Sequence, residues 1–225
     1  MKKPRPGTPR TSGPQGSVRI VGGRWRGTRL PVADAAGLRP TADRVRETLF
    51  NWLQPALPGA RVLDLFAGSG ALGLEAVSRG AREAVLVERD ARLAASLRET
   101  VARLQAGDDV RIAQADALAW LRAPVPFDVA SFDIGPFDIV FVDPPYAADL
   151  WQPVLDALPA WLADGAWLYL EGPAAAPPPA GADWAPHRSG STRDAHYALY
   201  RFRGRPAGGA ATLRAGSGTG GATPG

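Results

Sequence analysis

The chain has 225 residues, of which 45% are hydrophobic and 21% are charged, and its formal net charge is +4. This size and composition predict one globular domain with appendages. Because the chain contains no cysteine, it has no disulfide, thiolate nucleophile or Cys-based zinc site, and with only two histidines we expect no metal.

Positive charge is concentrated at the N-terminal end. Residues 1–61 contain twelve Lys and Arg against three acidic residues, an excess of nine positive charges, so the remainder carries a net charge of −5. This asymmetry predicts a polyanion-binding extension on a mildly acidic catalytic body. The N-terminus lacks the apolar stretch of a secretory signal, and no window offers the ~18 apolar residues of a membrane span. We therefore expect a cytoplasmic protein that contacts nucleic acid and no membrane.

The first predicted elements form a small basic hairpin. Residues 1–16 are rich in Pro, Gly and basic side chains and are expected to be disordered. Residues 19–23 (RIVGG) and 28–32 (TRLPV) predict two short strands, separated by a glycine-containing turn. The glycines of this turn are Gly22, Gly23 and Gly27.

A helix is predicted after the hairpin. Pro40 favours an extended Arg39, and Thr41 can then cap the first helical turn. The apolar positions recur with the 3.6-residue period and are Val45, Leu49, Trp52 and Leu53. Arg44 and Arg46 are expected to project away from that apolar stripe.

From residue 61 onward, apolar strands alternate with helices. The predicted strands are RVLDLF (61–66), AVLVE (84–88), VRIA (110–113), FDIVFV (137–142), WLYL (167–170) and HYALYRF (196–202). The predicted helices run through residues 72–78, 93–104, 118–121 and 150–162. Such alternation predicts an α/β fold with a doubly wound parallel sheet, and the last strand can close it as a hairpin partner. Ligands of such sheets bind beyond the carboxyl ends of the strands.

A glycine-rich loop follows the first strand of this sheet. Gly68, Gly70 and Gly73 form the pattern G-x-G-x-x-G, which lets a backbone approach a cofactor but does not identify that cofactor. Asp64 stands at the end of the strand, where its charge would repel a pyrophosphate and suit an ammonium group. The loop therefore favours S-adenosylmethionine over a dinucleotide.

Acidic residues also follow the next two strands. Glu88 ends the second strand, where a carboxylate can accept both ribose hydroxyls of either cofactor. Asp116 follows the third strand and is predicted to accept from an adenine amino group, with Ala117 and Leu118 near the ring. Capping of a helix is the alternative role of Asp116.

The most specific motif is Asp143-Pro144-Pro145-Tyr146, which follows FDIVFV. The amine of a nucleobase is a weak nucleophile, because its lone pair is delocalised into the ring. The Asp143 carboxylate and the Pro144 carbonyl can accept hydrogen bonds from the two N–H groups of the amine, while the prolines stiffen the loop. Tyr146 is predicted to stack on an extruded base. The motif therefore predicts methylation of a planar amine, with positioning as the main source of rate.

These segments together resemble the small-subunit ribosomal RNA methyltransferase D (RsmD) family, which methylates N2 of one guanine in bacterial 16S ribosomal RNA. The resemblance covers residues 17–203. It rests on RIVGGRWRGTRL, LRPTADRVRETLFNWL, RVLDLFAGSGALGLEAVSRGA, VERD and FVDPPY. The combination is more specific than any one of these segments.

The resemblance implies a mostly parallel, seven-stranded, Rossmann-like class I S-adenosylmethionine-dependent methyltransferase. It assigns cofactor contacts to Asp64, Phe66, Ala67, Gly68, Gly70, Glu88, Asp116 and Ala117. It assigns the guanine amine site to Asp143, Pro144, Pro145 and Tyr146. It lets RNA approach at Arg24, Arg26, Arg39 and Arg44. It also implies that the substrate is an assembled or partly assembled small ribosomal subunit.

The chain departs from this family in two places. Phe-Asp occurs at residues 127–128, 132–133 and 137–138, as if about ten residues had been duplicated, and only the last copy continues into the strand before Asp143. We expect the extra copies to form a loop near the active-site rim. Before the last strand, STRDAHYALY lacks the glycine-containing turn of the family.

The expected organisation has four parts. A basic tail (1–16) precedes an RNA-facing hairpin and helix (17–58), the methyltransferase domain (59–203) and a low-complexity tail (204–225). No heptad or apolar strip predicts a dimer, so we expect a monomer.

Three other functions are compatible with parts of the pattern. The Asp-Pro-Pro-Tyr motif also suits a DNA base-amino or protein-amide methyltransferase. The glycine-rich loop with Glu88 also suits an NAD-dependent oxidoreductase. A non-catalytic RNA-binding protein that retains the fold is the last alternative.

Overall fold

A computed structural model of the chain describes residues 16–32, 43–123, 136–145, 150–176 and 180–204. Its strands are β1 (Ser17–Arg19), β2 (Arg29–Pro31), β3 (Arg61–Asp64), β4 (Glu83–Glu88), β5 (Val110–Gln114), β6 (Phe137–Val142), β7 (Leu162–Pro173), β8 (Trp184–Ser191) and β9 (Ala195–Phe202). Its α-helices are α1 (Asp43–Leu53), α2 (Ala71–Ser78), α3 (Ala91–Arg103), α4 (Ala117–Arg122) and α5 (Trp151–Ala157). Most of both predicted tails and the two extra Phe-Asp copies lie outside the described residues, as do Arg39, Thr41 and Tyr146.

Seven strands form one sheet in the order β5-β4-β3-β6-β7-β9-β8. The first five in this order are parallel, and β9 is antiparallel to both of its neighbours. The carboxyl ends of the five parallel strands therefore lie along one edge of the sheet, called here the carboxyl edge. The opposite edge is called the amino edge. This topology confirms the predicted Rossmann-like α/β fold.

Helices cover both faces of the sheet. On one face, the β1–β2 hairpin, α1, α2 and α3 share a core with residues of β3, β6 and β7 such as Val62, Phe141 and Tyr169. On the other face, α4 and α5 pack on residues such as Val140 and Leu168. Both cores arise because the parallel strands are apolar on both sides. No helix in the described part of the chain is long and apolar enough to cross a membrane.

The first strand begins and ends earlier than predicted. It covers Ser17–Arg19 and pairs with Arg29–Pro31, whereas the prediction placed it at residues 19–23. Ile20 still donates to the carbonyl of Thr28 (3.0 Å) and accepts from the N–H of Gly27 (2.8 Å). The pairing stops at Val21, whose N–H donates to Glu75 Oε2 of α2 (3.1 Å). The predicted turn is present, and Gly23 and Gly27 adopt positive φ angles within it.

Arg46 is buried, so the prediction that it projects away from the core of α1 is wrong. Its side chain is 0% exposed and donates to the carbonyl of Arg19 and to Asp43 Oδ1 (2.8 Å). Its Nε lies 3.9 Å from Oε2 of Glu75, which is also fully buried. Burial lowers the pKa of Arg46, and the carboxylates of Asp43 and Glu75 act against that effect. Hydrophobic periodicity cannot reveal a buried cation of this kind.

The helix predicted to reach Leu162 is shorter. It ends at Ala157, and a 3-10 turn over Leu158–Trp161 follows it. Pro159 lies at the start of that turn and cannot donate the backbone hydrogen bond that an α-helix requires there. Leu162 instead begins β7, where it pairs with Phe137.

The strand Trp184–Ser191 was not predicted. It is the outermost strand on one side of the sheet and pairs only with β9 in the described structure. Most of its side chains are exposed. Pro186 and Gly190 interrupt any alternating apolar pattern. The predicted last strand is present as β9 and lies between β7 and β8, so it is the hairpin partner of β8.

Candidate active site

Acidic side chains stand in a row along the carboxyl edge. Asp64 ends β3, Glu88 ends β4, and Asp116 lies two residues after β5. Asp143 directly follows β6, the other neighbour of β3. The sheet therefore brings together the four acidic residues predicted for the site.

The glycine-rich loop joins β3 to α2. The N–H of Ala67 donates to the carbonyl of Val87 (3.0 Å), which holds the loop against β4. Gly68 and Gly70 have positive φ angles of 53° and 76°, which L residues with side chains adopt rarely. A Cβ atom on Gly70 would also lie 2.7 Å from Leu97 Cδ2. Gly70 is therefore required by the conformation and packing of the loop itself.

Gly73 has a packing role inside α2. A Cβ atom at this position would lie 2.7 Å from Leu86 Cδ1 of β4. The third glycine of the pattern thus lets α2 approach the sheet closely.

Asp64 is buried under the start of α2. It is 3% exposed, and its Oδ2 accepts a hydrogen bond from the N–H of Gly73 (3.0 Å). Burial raises the pKa of Asp64 to about 7, hydrogen bonds from the N–H groups of Gly73 and Phe66 lower it, and the charge of Glu88 raises it. A cationic group beside this carboxyl would favour its ionised form.

Glu88 and Asp116 organise the backbone at the ends of β4 and β5. The Glu88 carboxylate accepts from the N–H of Gly68 (2.9 Å) and from the N–H of Asp90 (2.7 Å). Asp116 caps α4 by accepting from the N–H of Ala119 (3.1 Å), which is the alternative role considered for it. Each carboxylate oxygen can accept a second hydrogen bond, so these contacts do not prevent binding of a ligand.

The remaining predicted cofactor residues line the same loops. Phe66 is half-buried and packs against the core under α4 and α5, whereas Ala67 is buried in the core on the α1 side. Ala117 is the first residue of α4 and packs in the core beneath it.

Asp143, Pro144 and Pro145 leave the sheet at the end of β6. Asp143 is half-buried, Pro144 is buried and Pro145 is exposed. Pro144 restricts Asp143 to extended backbone, so the strand direction continues into the loop. The N–H of Leu65 donates to the carbonyl of Phe141 (3.2 Å), which holds the start of the glycine-rich loop against β6.

Two predicted RNA-binding arginines lie at the opposite edge of the sheet. Arg24 forms an ion pair with Asp109, which precedes β5, and its N–H donates to the carbonyl of Ser78 at the end of α2 (2.8 Å). Arg26 is exposed in the same turn. The structure therefore places Arg24 and Arg26 at the amino edge, away from Asp143. Arg44 is exposed in the first turn of α1.

Sequence reasoning missed one acidic residue at the carboxyl edge. Glu171 lies near the end of β7, is 6% exposed, and accepts a hydrogen bond from the hydroxyl of Tyr169 (2.7 Å). It directly follows the predicted strand WLYL, so the rule that singled out Asp64, Glu88 and Asp143 applies to it equally.

Within the described ranges, no group of three or more His, Cys, Asp or Glu side chains could hold a metal ion.

Comparisons with known proteins agree with this geometry. Residues 18–201 match a family model described as conserved hypothetical protein 95. The ribosomal RNA small subunit methyltransferase D of Escherichia coli (strain K12) is 44% identical over 89% of this chain and 95% of its own length. The protein of the same name from Haemophilus influenzae is 36% identical over 85% of this chain and 97% of its own.

A solved structure shows the same relationship. The structure of a putative methyltransferase from Escherichia coli superposes with a TM-score of 0.73 at 41% identity. It covers 84% of this chain and 100% of its own. The chain therefore belongs to the family described as conserved hypothetical protein 95, to which its resemblance to the ribosomal RNA methyltransferase D group already pointed.

Proposed function

We propose that this chain is an S-adenosylmethionine-dependent methyltransferase that methylates the N2 amine of a guanine in 16S ribosomal RNA of the small ribosomal subunit. The observation that carries the proposal is the position of Asp143-Pro144-Pro145 at the end of β6, beside the glycine-rich loop that follows β3. The names of the relatives support methylation of small-subunit ribosomal RNA. The choice of guanine N2 rests on the family resemblance of the sequence.

The residues along the carboxyl edge fit the proposed cofactor. The buried Asp64 suits the ammonium group of the methionyl part, Gly68 offers backbone in close approach, and Glu88 suits the ribose hydroxyls. Asp116 and Ala117, at the start of α4, would hold the adenine. When bound, S-adenosylmethionine supplies a methyl group on a sulfonium, which is the electrophile of the reaction.

The chain's own residues act on the amine. Asp143 and the carbonyl of Pro144 accept hydrogen bonds from the two N–H groups of the guanine N2 amine. The lone pair of N2 then points at the incoming methyl carbon. Alignment of two reactants in this way is worth up to ~7–11 kcal/mol of barrier. The nitrogen becomes cationic as it is methylated and then loses a proton, for which the Asp143 carboxylate is the nearby acceptor. Tyr146 stacks on the extruded base.

The RNA contacts belong to the same proposal. Phosphates are bound by four arginines, Arg24, Arg26, Arg39 and Arg44. Since Arg24 and Arg26 lie at the amino edge and Asp143 at the carboxyl edge, the substrate must reach both edges, as a folded RNA or a ribosomal particle can. The enzyme works as a monomer, without a metal, in the cytoplasm where subunits assemble. The four-part organisation with an RNA-facing segment at residues 17–58 is part of this proposal.

The test is methyl transfer from labelled S-adenosylmethionine to small subunits that lack the modification, followed by nucleoside analysis. The expected product is N2-methylguanosine in 16S ribosomal RNA. Nuclease treatment separates RNA from protein acceptors, and a parallel reaction with free RNA defines the working substrate. Labelled protein, labelled DNA or no transfer at all would contradict the proposal.

The variant Asp143→Ala tests the role of the loop. We expect kcat to fall about 100-fold or more, because a positioned acceptor is removed, while binding of S-adenosylhomocysteine persists. Asp138→Asn is the matched control, since Asp138 lies at the amino end of β6, the strand that leads to Asp143, and accepts from the N–H of Arg61 (2.8 Å). Equal activities of the two variants would remove Asp143 from the mechanism.

A further inference from the structure

Glu171 is a buried carboxylate that the proposed mechanism does not use. The hydroxyl of Tyr169, itself 0% exposed, donates to its Oε2 (2.7 Å). The indole N–H of Trp151, at the start of α5, donates to the backbone carbonyl of Glu171 (3.1 Å). The side chain of Glu171 is thus held by Tyr169. Its backbone is held by Trp151 of α5, the helix that follows the Asp143 loop.

Glu171 and Asp143 occupy equivalent positions on neighbouring strands. Val142 of β6 pairs with Leu170 of β7, and each of the two acidic residues comes next in its strand direction. Val142 and Leu170 both pack in the core under α4 and α5, so the residues that follow them face the α1 side. Neighbouring strands lie about 4.8 Å apart, which sets the two residues side by side at the carboxyl edge.

This spacing matches the donor pattern of guanine. The Watson–Crick edge of guanine presents the N1–H directly beside the N2 amine, so an acceptor for N1–H must lie beside the acceptors for N2. Adenine and cytosine present an unprotonated ring nitrogen beside their amines. The lone pair of that nitrogen would face the carboxylate, which is unfavourable. Enzymes that extrude a base read it through hydrogen bonds of this kind.

We infer that Glu171 is a specificity-determining residue that accepts the N1–H of the target guanine while Asp143 and Pro144 hold its N2 amine. The inference rests on the proposed function and adds the recognition of the base to it. Tyr169 acts as a positioning residue, because its hydroxyl fixes the orientation of the carboxylate. Two acceptors on adjacent strands then select a purine with adjacent N1–H and N2 donors.

The experiment compares guanine with 2-aminopurine, which keeps the 2-amino group but has no proton on N1. Reconstituted small subunits carry one or the other at the acceptor nucleotide, and kcat/KM is measured for wild type and Glu171→Gln. We expect Glu171→Gln to lower kcat/KM for guanine about 10-fold, since a neutral amide oxygen replaces the charged acceptor of the N1–H. For 2-aminopurine we expect kcat/KM to rise, because the amide of the variant can donate to its bare N1, which faces the lone pairs of the carboxylate in wild type.

Glu83→Gln is the matched control. Glu83 is a half-buried carboxylate at the amino edge, where it pairs with Arg61 (3.1 Å), so its replacement should leave the base ratio unchanged. Binding of S-adenosylhomocysteine by Glu171→Gln should equal that of wild type, which shows that the variant folds.

An unchanged guanine to 2-aminopurine ratio in Glu171→Gln, or an equal loss for both bases, overturns the inference and leaves the methyltransferase proposal intact. Wild-type enzyme that transfers no methyl group to either RNA overturns the proposed function, and the inference with it.

Discussion

At the scale of single residues, Asp64 combines a cost in stability with a proposed role in cofactor binding. Burial raises its pKa to about 7, although Gly73 and Phe66 donate backbone hydrogen bonds to it. A carboxyl with such a pKa carries a proton in the folded protein at pH values where the unfolded chain has lost it. A neighbouring ammonium group on the proposed cofactor would reverse this preference. In the proposed function, Asp64 therefore favours a cationic ligand at the expense of the ligand-free fold.

This shift predicts a pH dependence of stability. Between pH about 4 and about 7 the folded state binds more protons at Asp64 than the unfolded state, so the free energy of unfolding falls as the pH rises. From pH 5 to pH 7.5 the contribution of Asp64 should fall by on the order of 2 kcal/mol. As the pH rises over this range, the free energy of unfolding of Asp64→Asn should therefore increase relative to that of wild type, as measured by urea unfolding. Parallel pH curves for the two proteins would contradict the prediction, and Glu99→Gln, an exposed site on α3, is the control.

At the scale of elements, buried charges attach the basic hairpin to α1 and α2. Glu75 of α2 accepts from the N–H of Val21 (3.1 Å) and from Nε of Arg79 (2.8 Å), and it faces Arg46 of α1. The hairpin, α1 and α2 thus share one polar contact within an otherwise apolar core. Such a pair fixes geometry more than it adds stability, but removal of one partner leaves a buried charge.

The variant Arg46→Met tests this contact. It should destabilise the protein by about 3 kcal/mol, because Glu75 loses a cation and the Arg19 carbonyl loses a donor. The double variant Arg46→Met/Glu75→Gln should recover part of that loss, since Glu75→Gln removes the buried charge that faces Arg46 and leaves Arg79 an amide oxygen as acceptor. Urea unfolding of both variants and wild type measures the coupling. Additive losses would show that the two side chains do not interact.

The sequence predicted elements well where hydrophobic period and glycine chemistry act locally. The strand at Phe137–Val142 and the helix from Ala71 to Ser78 appear as expected. It failed where tertiary contacts decide. Arg46 is buried because Glu75 and the Arg19 carbonyl are placed beside it, and the strand Trp184–Ser191 exists because β9 provides a partner. The local sequence pattern does not predict such tertiary partners.

The candidate site shows the same division. The row of acidic residues follows from one rule, that polar residues after parallel strands share an edge, and the sheet order confirms that they do. The rule does not say at which edge a preceding hairpin will lie. That position depends on the packing of Trp25 and Ser78, whose N–H to Oγ hydrogen bond (2.9 Å) fixes the turn at the end of α2.

At the scale of the molecule, the basic turn and the proposed catalytic loop lie at opposite edges of the sheet. A strand of five or six residues is on the order of 15–20 Å long at about 3.3 Å per residue, so an RNA that touches both must extend over a comparable distance. Phosphate binding at the turn would then contribute affinity without taking part in the positioning of the amine. Binding and chemistry should be separable by mutation.

The double variant Arg24→Gln/Arg26→Gln tests this separation. We expect a higher KM for small subunits and a plot of log affinity against log salt that is shallower by about 1 for each phosphate that the variant no longer binds. The value of kcat at saturating subunit should equal that of wild type, because the amino edge does not touch the reacting amine. Methyl transfer measured across a salt series gives both quantities. Arg98→Gln, an exposed position on α3, supplies the charge control. Unchanged KM and salt dependence would mean that RNA does not bind at the turn, whereas a lower kcat would mean that the two edges of the sheet are coupled during the reaction.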